Sequence, residues 1–222
     1  MAAALILDFD GVVADSEMLA NAVLGEWVTR LGVPTTPDQA LARYMGRCWA
    51  EVIAAIERAI GRPVPDTFAA DLKAATLARF ETDLREVAGA SAFLDRCAGM
   101  PRAIASTSAP DRLASCLALL GLADAFGPHV YSADQVACGK PHPDIFLFAA
   151  GRLGVAPSAC IVIEDSAGGV RAGRAAGMTV IGLCAGAHIR AGHADRLRDA
   201  GADHVALTWA EAERLVARLT SP

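Results

Sequence analysis

Leu5-Ile6-Leu7-Asp8-Phe9-Asp10-Gly11 is the stretch on which the fold turns. Three apolar residues run straight into two acids and a glycine. A short unbroken apolar run bounded by turn residues reads as a strand buried on both faces, as in a parallel sheet. Two later runs have the same form: Ala103-Ile104-Ala105 ends in Ser106-Thr107, and Ile161-Val162-Ile163 ends in Glu164-Asp165. Open α/β sheets bind their ligands just beyond the carboxyl ends of the strands. Acids and a hydroxyl from distant parts of the chain are therefore expected around one crevice.

Outward from these runs, helix and strand alternate from Gly89 onward. The pattern predicts helices over 90–97, 111–120, 144–153 and 169–176, and strands over 102–105, 129–131, 160–163 and 179–183. A last short strand over 204–206 precedes a helix over 209–219. Alternation of this kind specifies an α/β fold, a Rossmann-like parallel sheet covered by helices, to which the first strand also belongs. The intervening segment has helical periodicity and no convincing strand. Asp15 or Ser16 is placed to cap a helix through Leu19, Val23, Trp27 and Leu31, closed by Gly32 and Pro34. Pro37 opens a short helix to Met45, a third covers Trp49 to Ile60, and a fourth runs from about Asp66 to Asp83 with Phe68, Leu72, Leu77 and Phe80 as its apolar stripe. The expected organisation is a core domain of residues 1–14 and 83–222 with a small helical domain, 15–82, inserted between its first two sheet units.

The chain has 222 residues, 54% hydrophobic and only 20% charged, enough to bury a substantial core. A net charge of -5 gives no electrostatic footprint for nucleic acid or an anionic membrane, and no apolar stretch is long enough to span a bilayer. Met1-Ala2-Ala3-Ala4 lacks a basic n-region, and Asp8 and Asp10 interrupt the apolar run, which argues against a signal peptide. Six cysteines without a Cys-x-x-Cys pair read as reduced thiols of a cytoplasmic protein rather than a disulfide or zinc framework. A monomer is expected, with a dimer left open.

The polar residues at the strand ends carry the chemistry. A carboxylate such as Asp8 can attack a phosphoryl centre and form an acyl phosphate, provided a cation is held beside it. Asp10, two residues on, points the same way if the backbone stays extended, and could protonate the leaving oxygen and then deprotonate a water. The plainer alternative is a strand-to-turn junction. Glu164 and Asp165 bring two more acids. Converging carboxylates repel without a cation, and oxygen-only ligands beside a phosphate suit Mg²⁺; otherwise Glu164 or Asp165 simply caps the following helix. The Ser106 hydroxyl and the Thr107 amide could hold phosphoryl oxygens, although a residue of that type at a strand end is more often a turn or cap. Lys140, in Gly139-Lys140-Pro141-His142-Pro143-Asp144, starts from a loop stiffened by two prolines, and its ammonium can neutralise both a phosphate and Asp8. His142, His188, His193 and His204 lack metal-ligand spacing and read as surface or internally satisfied histidines. Trp27 and Phe80 read as packing of the helical segment.

Taken together and in this order, Asp8-Phe9-Asp10-Gly11-Val12-Val13-Ala14-Asp15-Ser16-Glu17, Ser106-Thr107-Ser108, Gly139-Lys140-Pro141 and Ile163-Glu164-Asp165-Ser166 resemble the haloacid dehalogenase superfamily of phosphatases. The similarity covers essentially the whole chain, the helical insertion matching that superfamily's mobile cap. The resemblance implies that Asp8 is the phosphorylated nucleophile and Asp10 the general acid and base, with Ser106, Thr107 and Lys140 holding the phosphoryl group. It implies Mg²⁺ on the Asp8 side chain, the Asp10 backbone carbonyl and Asp165, with Glu164 adjacent or acting through water. It also implies cap closure that excludes water and selects substrate.

Within the superfamily, a dehalogenase has no use for Asp10 as a leaving-group acid. A phosphonate hydrolase needs a Schiff-base lysine that residues 18–30 lack. A sugar phosphomutase of the β-phosphoglucomutase type remains an alternative, weakened because Ala20 and Trp49 stand where that type has a histidine and an arginine. The segments Asp15-Ser16-Glu17, Tyr44-Met45-Gly46 and Glu86-Val87-Ala88-Gly89-Ala90 are most similar to the 6-phosphogluconate and phosphoglycolate phosphatase branch. The expected substrate is a small phosphorylated sugar, sugar acid or phosphoglycolate, with Arg47 and Lys73 as cap residues contacting its distal end; solvated helix-surface charges are the equal alternative for both. A non-catalytic binding protein on this fold is the reading from another class, opposed by the presence of every catalytic acid.

Overall fold

In the computed structural model, which describes residues 4–221, the Leu5-Ile6-Leu7 run lies at the centre of a six-stranded parallel sheet. Met1-Ala2-Ala3, part of the leader reading, lies outside the described residues. The strands are β1 (Ala4–Leu7), β2 (Arg102–Ser106), β3 (Val130–Ser132), β4 (Cys160–Glu164), β5 (Thr179–Leu183) and β6 (His204–Ala206), in the order β3-β2-β1-β4-β5-β6. The chain winds outward from β1 to β3, then crosses back to pair β4 with the other edge of β1. A crevice opens at such a reversal, here between β1 and β4 at their carboxyl ends. Pairing of Leu7 with Ile104 and with Ile163 brings the three strand ends to within two residues of one another.

All four residues of β1 and all five of β4 are buried, as a strand covered on both faces requires. Alternate side chains face opposite sides of the sheet. On one side Ile6, Ala103, Ala105, Val162 and Val180 pack with Ile145, Phe146 and Ala149 of α7 (Asp144–Leu153), Val170 and Ala172 of α8 (Ala167–Ala175) and Leu197 of α9 (His193–Asp199). Helix α10 (Trp209–Thr220) packs on β5 and β6 and against α5 (Ala90–Arg96), where Trp209 meets Phe93 with ring centroids 4.5 Å apart. Helix α6 (Pro110–Leu119) follows β2 and lies against β3.

The chain passes into a second compact unit between Asp15 and Ser16 and returns between Leu84 and Arg85. That unit holds α1 (Glu17–Arg30), α2 (Pro37–Tyr44), α3 (Trp49–Ile60) and α4 (Phe68–Asp83) around Val23, Val28, Tyr44, Val52, Ile56 and Phe68. Phe68 stands edge-on to Trp27 at 6.1 Å and stacks on Trp49 at 6.4 Å. Phe80 is buried, as its packing role required. Among the described residues, no helix is long and apolar enough to cross a membrane.

Three local expectations are corrected. Ser16 precedes α1 in helical backbone geometry and its side chain makes no capping bond, so neither it nor Asp15 caps the helix as expected. Asp15 instead accepts the Ala187 amide at 3.0 Å. Helix α9 has no counterpart in the sequence pattern: His-Ala-Asp-Arg-Leu-Arg-Asp shows only His193 and Leu197 buried, too narrow a stripe to declare a helix. Other boundaries shift by one or two residues; α8 starts at Ala167 because Ser166 caps it by accepting from the Gly169 amide.

Candidate active site

Asp8 leaves β1 beside the end of β4, its amide donating to the Ile163 carbonyl at 2.9 Å. The chain then turns at once. Gly11 adopts φ +76°, and a Cβ there would fall 1.9 Å from Asp165 Oδ2, so only glycine lets the turn sit against that carboxylate. Glu164, the last residue of β4, is buried within the protein. A Cβ on Gly169 would fall 1.6 Å from Glu164 Oε1, which makes the glycine at the start of α8 the space the carboxylate occupies.

Lys140 joins the two strands. Its ammonium donates to Asp8 Oδ1 at 2.8 Å and to Glu164 Oε1 at 2.7 Å, and lies 5.0 Å from the centroid of the Phe146 ring. Its peptide bond to Pro141 is cis. Burial opposes the lysine's charge, but the two carboxylates outweigh it and raise its pKa above the ordinary value. The second Glu164 oxygen accepts from the Ser166 amide at 2.8 Å and hydroxyl at 2.9 Å. Glu164 is thus occupied by protein donors on both oxygens.

Asp8, Glu164 and Asp165 offer oxygens that all lie within 4.8 Å of one another, and all three residues are buried. Burial pushes the Asp8 carboxyl well above the usual carboxylate range; Lys140 opposes the shift, and Glu164 and Asp165 add to it. Three buried acids against one lysine leave an excess of negative charge. An all-oxygen donor set with that excess fits a hard divalent cation such as Mg²⁺.

Asp10 faces a different set of partners. The Ser108 hydroxyl donates to its Oδ2 and the Arg112 guanidinium to its Oδ1. Ser106 is fully buried and its hydroxyl accepts from the Ser108 amide at 3.0 Å, while Thr107 is exposed at the end of β2. Arg47 lies exposed in the turn between α2 and α3, and Lys73 is exposed on α4; both belong to the helical unit.

Four partners of these acids have no assigned role from sequence. Ser108 and Arg112 hold Asp10. His188 and His193, expected to be surface or satisfied, are both buried, and each sets one ring nitrogen against the same residue, Asp165. His188 Nε2 lies 3.0 Å from Asp165 Oδ2, and His193 Nε2 donates to the Asp165 carbonyl at 2.6 Å. Burial lowers the His193 pKa. A signal for the histidines was available: they follow β5, and loops after every parallel strand emerge at the same end of the sheet. Nothing in the sequence pointed to Arg112.

The family model for haloacid dehalogenase-like hydrolases matches residues 2–177. The chain belongs to that family. It is therefore a hydrolase on the family's α/β fold, which its strand order and the position of Asp8 at the end of β1 realise. Among its relatives is a fructose-1-phosphate phosphatase of Escherichia coli, 32% identical over 192 residues, covering 81% of this chain and 95% of the relative. A 6-phosphogluconate phosphatase of the same organism is 26% identical over 186 residues, covering 83% and 84%. A solved haloacid dehalogenase family hydrolase from Deinococcus radiodurans, with bound phosphate and sodium, superposes with a TM-score of 0.84 at 33% identity, covering 98% of this chain and 96% of that one.

Proposed function

We propose that this hydrolase is a Mg²⁺-dependent phosphatase of a small phosphorylated metabolite, a sugar phosphate or sugar-acid phosphate, and that it works through a phosphoaspartate on Asp8. The observation that carries the reading is the Lys140 ammonium bridging Asp8 and Glu164 in a buried, acid-rich crevice at the sheet's switch point. The named substrates of the phosphatase relatives and the phosphate in the related hydrolase support the substrate class.

Asp8 attacks phosphorus with one carboxylate oxygen as the bond to the leaving oxygen breaks. Asp10 gives that oxygen a proton, then takes one from the water that attacks the phosphoaspartate, which returns Asp8 free and releases inorganic phosphate. Lys140 neutralises charge on Asp8 and on the transferring group, and its tether to Glu164 fixes where that charge stands. In this reading the Ser106 hydroxyl, on the last residue of β2, and the Thr107 amide that follows it hold phosphoryl oxygens. Asp8, Asp165 and the Asp10 carbonyl would hold Mg²⁺, with Glu164 steering Lys140 rather than ligating directly. When bound, the cation offsets charge on the transferring oxygens and on the clustered acids.

The test is phosphate release from a panel of sugar phosphates, sugar-acid phosphates, phosphoglycolate and nucleotides, with and without Mg²⁺, ranked by kcat/KM. Acid-quenched turnover should leave a phosphoryl mass on the peptide carrying Asp8. Release without that mass would dismiss the covalent route, and interconversion of sugar phosphates without net release would favour a mutase.

A further inference from the structure

The loop that follows β5 sends two imidazoles to one residue. His188 and His193 are both buried, and both converge on Asp165: one on its side chain, the other on its main-chain carbonyl. Arg196, one turn along α9, donates to His193 Nδ1 at 2.9 Å. A guanidinium has no acceptor, so Nδ1 must carry the lone pair and Nε2 the hydrogen that reaches the Asp165 carbonyl. The tautomer and ring orientation of His193 are thereby set. His188 is enclosed from both sides by glycines: a Cβ on Gly11 would fall 2.7 Å from its Cε1, and one on Gly186 2.7 Å from its Nδ1. The same loop is tied down by the Ala187 amide on Asp15.

We propose that His188 and the Arg196–His193 pair are positioning residues for the cation site, fixing the carboxylate and the backbone of Asp165 so that its oxygens are presented to Mg²⁺ beside Asp8. Donors behind a ligating carboxylate orient it and hold it deprotonated in place, and their loss commonly lowers metal affinity tenfold to a hundredfold. Core packing alone would not require two donors on two different acceptors of one residue, nor a third side chain that sets the tautomer of one of them.

The inference rests on the Mg²⁺ reading of the crevice, and direct Mg²⁺ titration by calorimetry separates the two. If the wild-type protein takes up no Mg²⁺, the cation reading falls and this inference with it. If the wild type binds, folded His188→Ala should bind about tenfold to a hundredfold more weakly. His188→Gln, whose amide nitrogen can reach the Nε2 position, should recover most of that affinity, with kcat at saturating Mg²⁺ near the wild-type value. Arg196→Ala, a change at an exposed side chain that releases the His193 tautomer, should weaken binding by a few fold. Wild-type Mg²⁺ affinity in folded His188→Ala overturns the role of His188. If that variant does not fold, Arg196→Ala decides: wild-type affinity there overturns the proposal.

Discussion

The acidic crevice and the helical unit are built on opposite principles. In the crevice the buried and half-buried groups are polar or charged and mutually held: Lys140 between Asp8 and Glu164, Arg112 and Ser108 on Asp10, two histidines on Asp165. In the helical unit the centre is aromatic and aliphatic: Phe68 packs with Val28, Ile56 and the half-buried Trp27 in one cluster, and the exposed Trp49 stacks on Phe68. Its ion pairs, such as Arg79 with Glu26 and Asp83, lie at the surface. Packing of apolar groups tolerates no voids but carries no charge to misplace. A buried charge cluster stores unfavourable energy that a ligand can relieve. The two regions should therefore answer substitution in opposite ways.

Asp8→Asn is expected to have the largest effect, and a divided one. Without the proposed nucleophile, turnover should fall about 10⁴-fold or more. Stability of the metal-free protein should move the other way. A carboxyl whose folded pKa lies above its unfolded value makes the folded state bind a proton that the unfolded chain releases. Stability then drops as pH rises from the ordinary carboxylate range through the raised value, and stays lower above it. The asparagine side chain has no such proton, and its carbonyl can still accept from Lys140. Metal-free Asp8→Asn should melt higher than metal-free wild type near neutral pH, and its melting point should lack the fall between acid and neutral pH that this residue contributes. Added Mg²⁺ should raise the wild-type melting point more than that of the variant. A metal-free variant that melts lower than wild type would mean that the crevice is not under electrostatic load.

The same contrast explains what could be read in the sequence. The strands were legible because burial on both faces writes itself as consecutive apolar residues, so Leu5-Ile6-Leu7 and Ile161-Val162-Ile163 needed no partner to be recognised. The acids were legible because they interrupt those runs. Helix α9 was not, since it buries only His193 and Leu197. The partners of the acids were not either. Arg112 lies 102 residues from Asp10, and His193 lies 28 from Asp165, and only sheet topology brings them together. Lys140, 132 residues from Asp8, stands out because its prolines and the order of motifs mark it.

Phe68→Ala probes the other side of the comparison. Phe68 is buried and is the ring on which both Trp27 and Trp49 rest. Truncation leaves a void that two indoles cannot fill from their present positions, so about 3–5 kcal/mol should be lost. Emission of the half-buried Trp27 should shift to the red at lower denaturant, whereas Trp49 is already exposed and Trp209 is buried in the core unit and reports separately. Mg²⁺ affinity of the folded protein should stay at the wild-type value, because no residue of the cation cluster belongs to this unit. Loss of Mg²⁺ affinity in parallel with stability would break the separation between the two regions.

The smallest effect is expected at the start of α2, where stability rests on directed hydrogen bonds rather than on burial. The Thr36 hydroxyl accepts from the Gln39 amide at 3.2 Å, and the Gln39 side chain accepts from the Thr36 amide at 3.0 Å, with Pro37 already in the first turn. Eight residues cannot hold a helix unaided, so α2 depends on this box and on its packing against α1. Thr36→Ala should lower stability by about 1 kcal/mol, read as a shift in the denaturation midpoint at unchanged slope. Gln39→Ala should cost less, since water can reach the exposed Thr36 amide. The two bonds support each other through one backbone turn, so the double variant should fall short of the sum of the single ones. Strict additivity would show that the bonds act independently and that α1, not the box, sets where α2 begins.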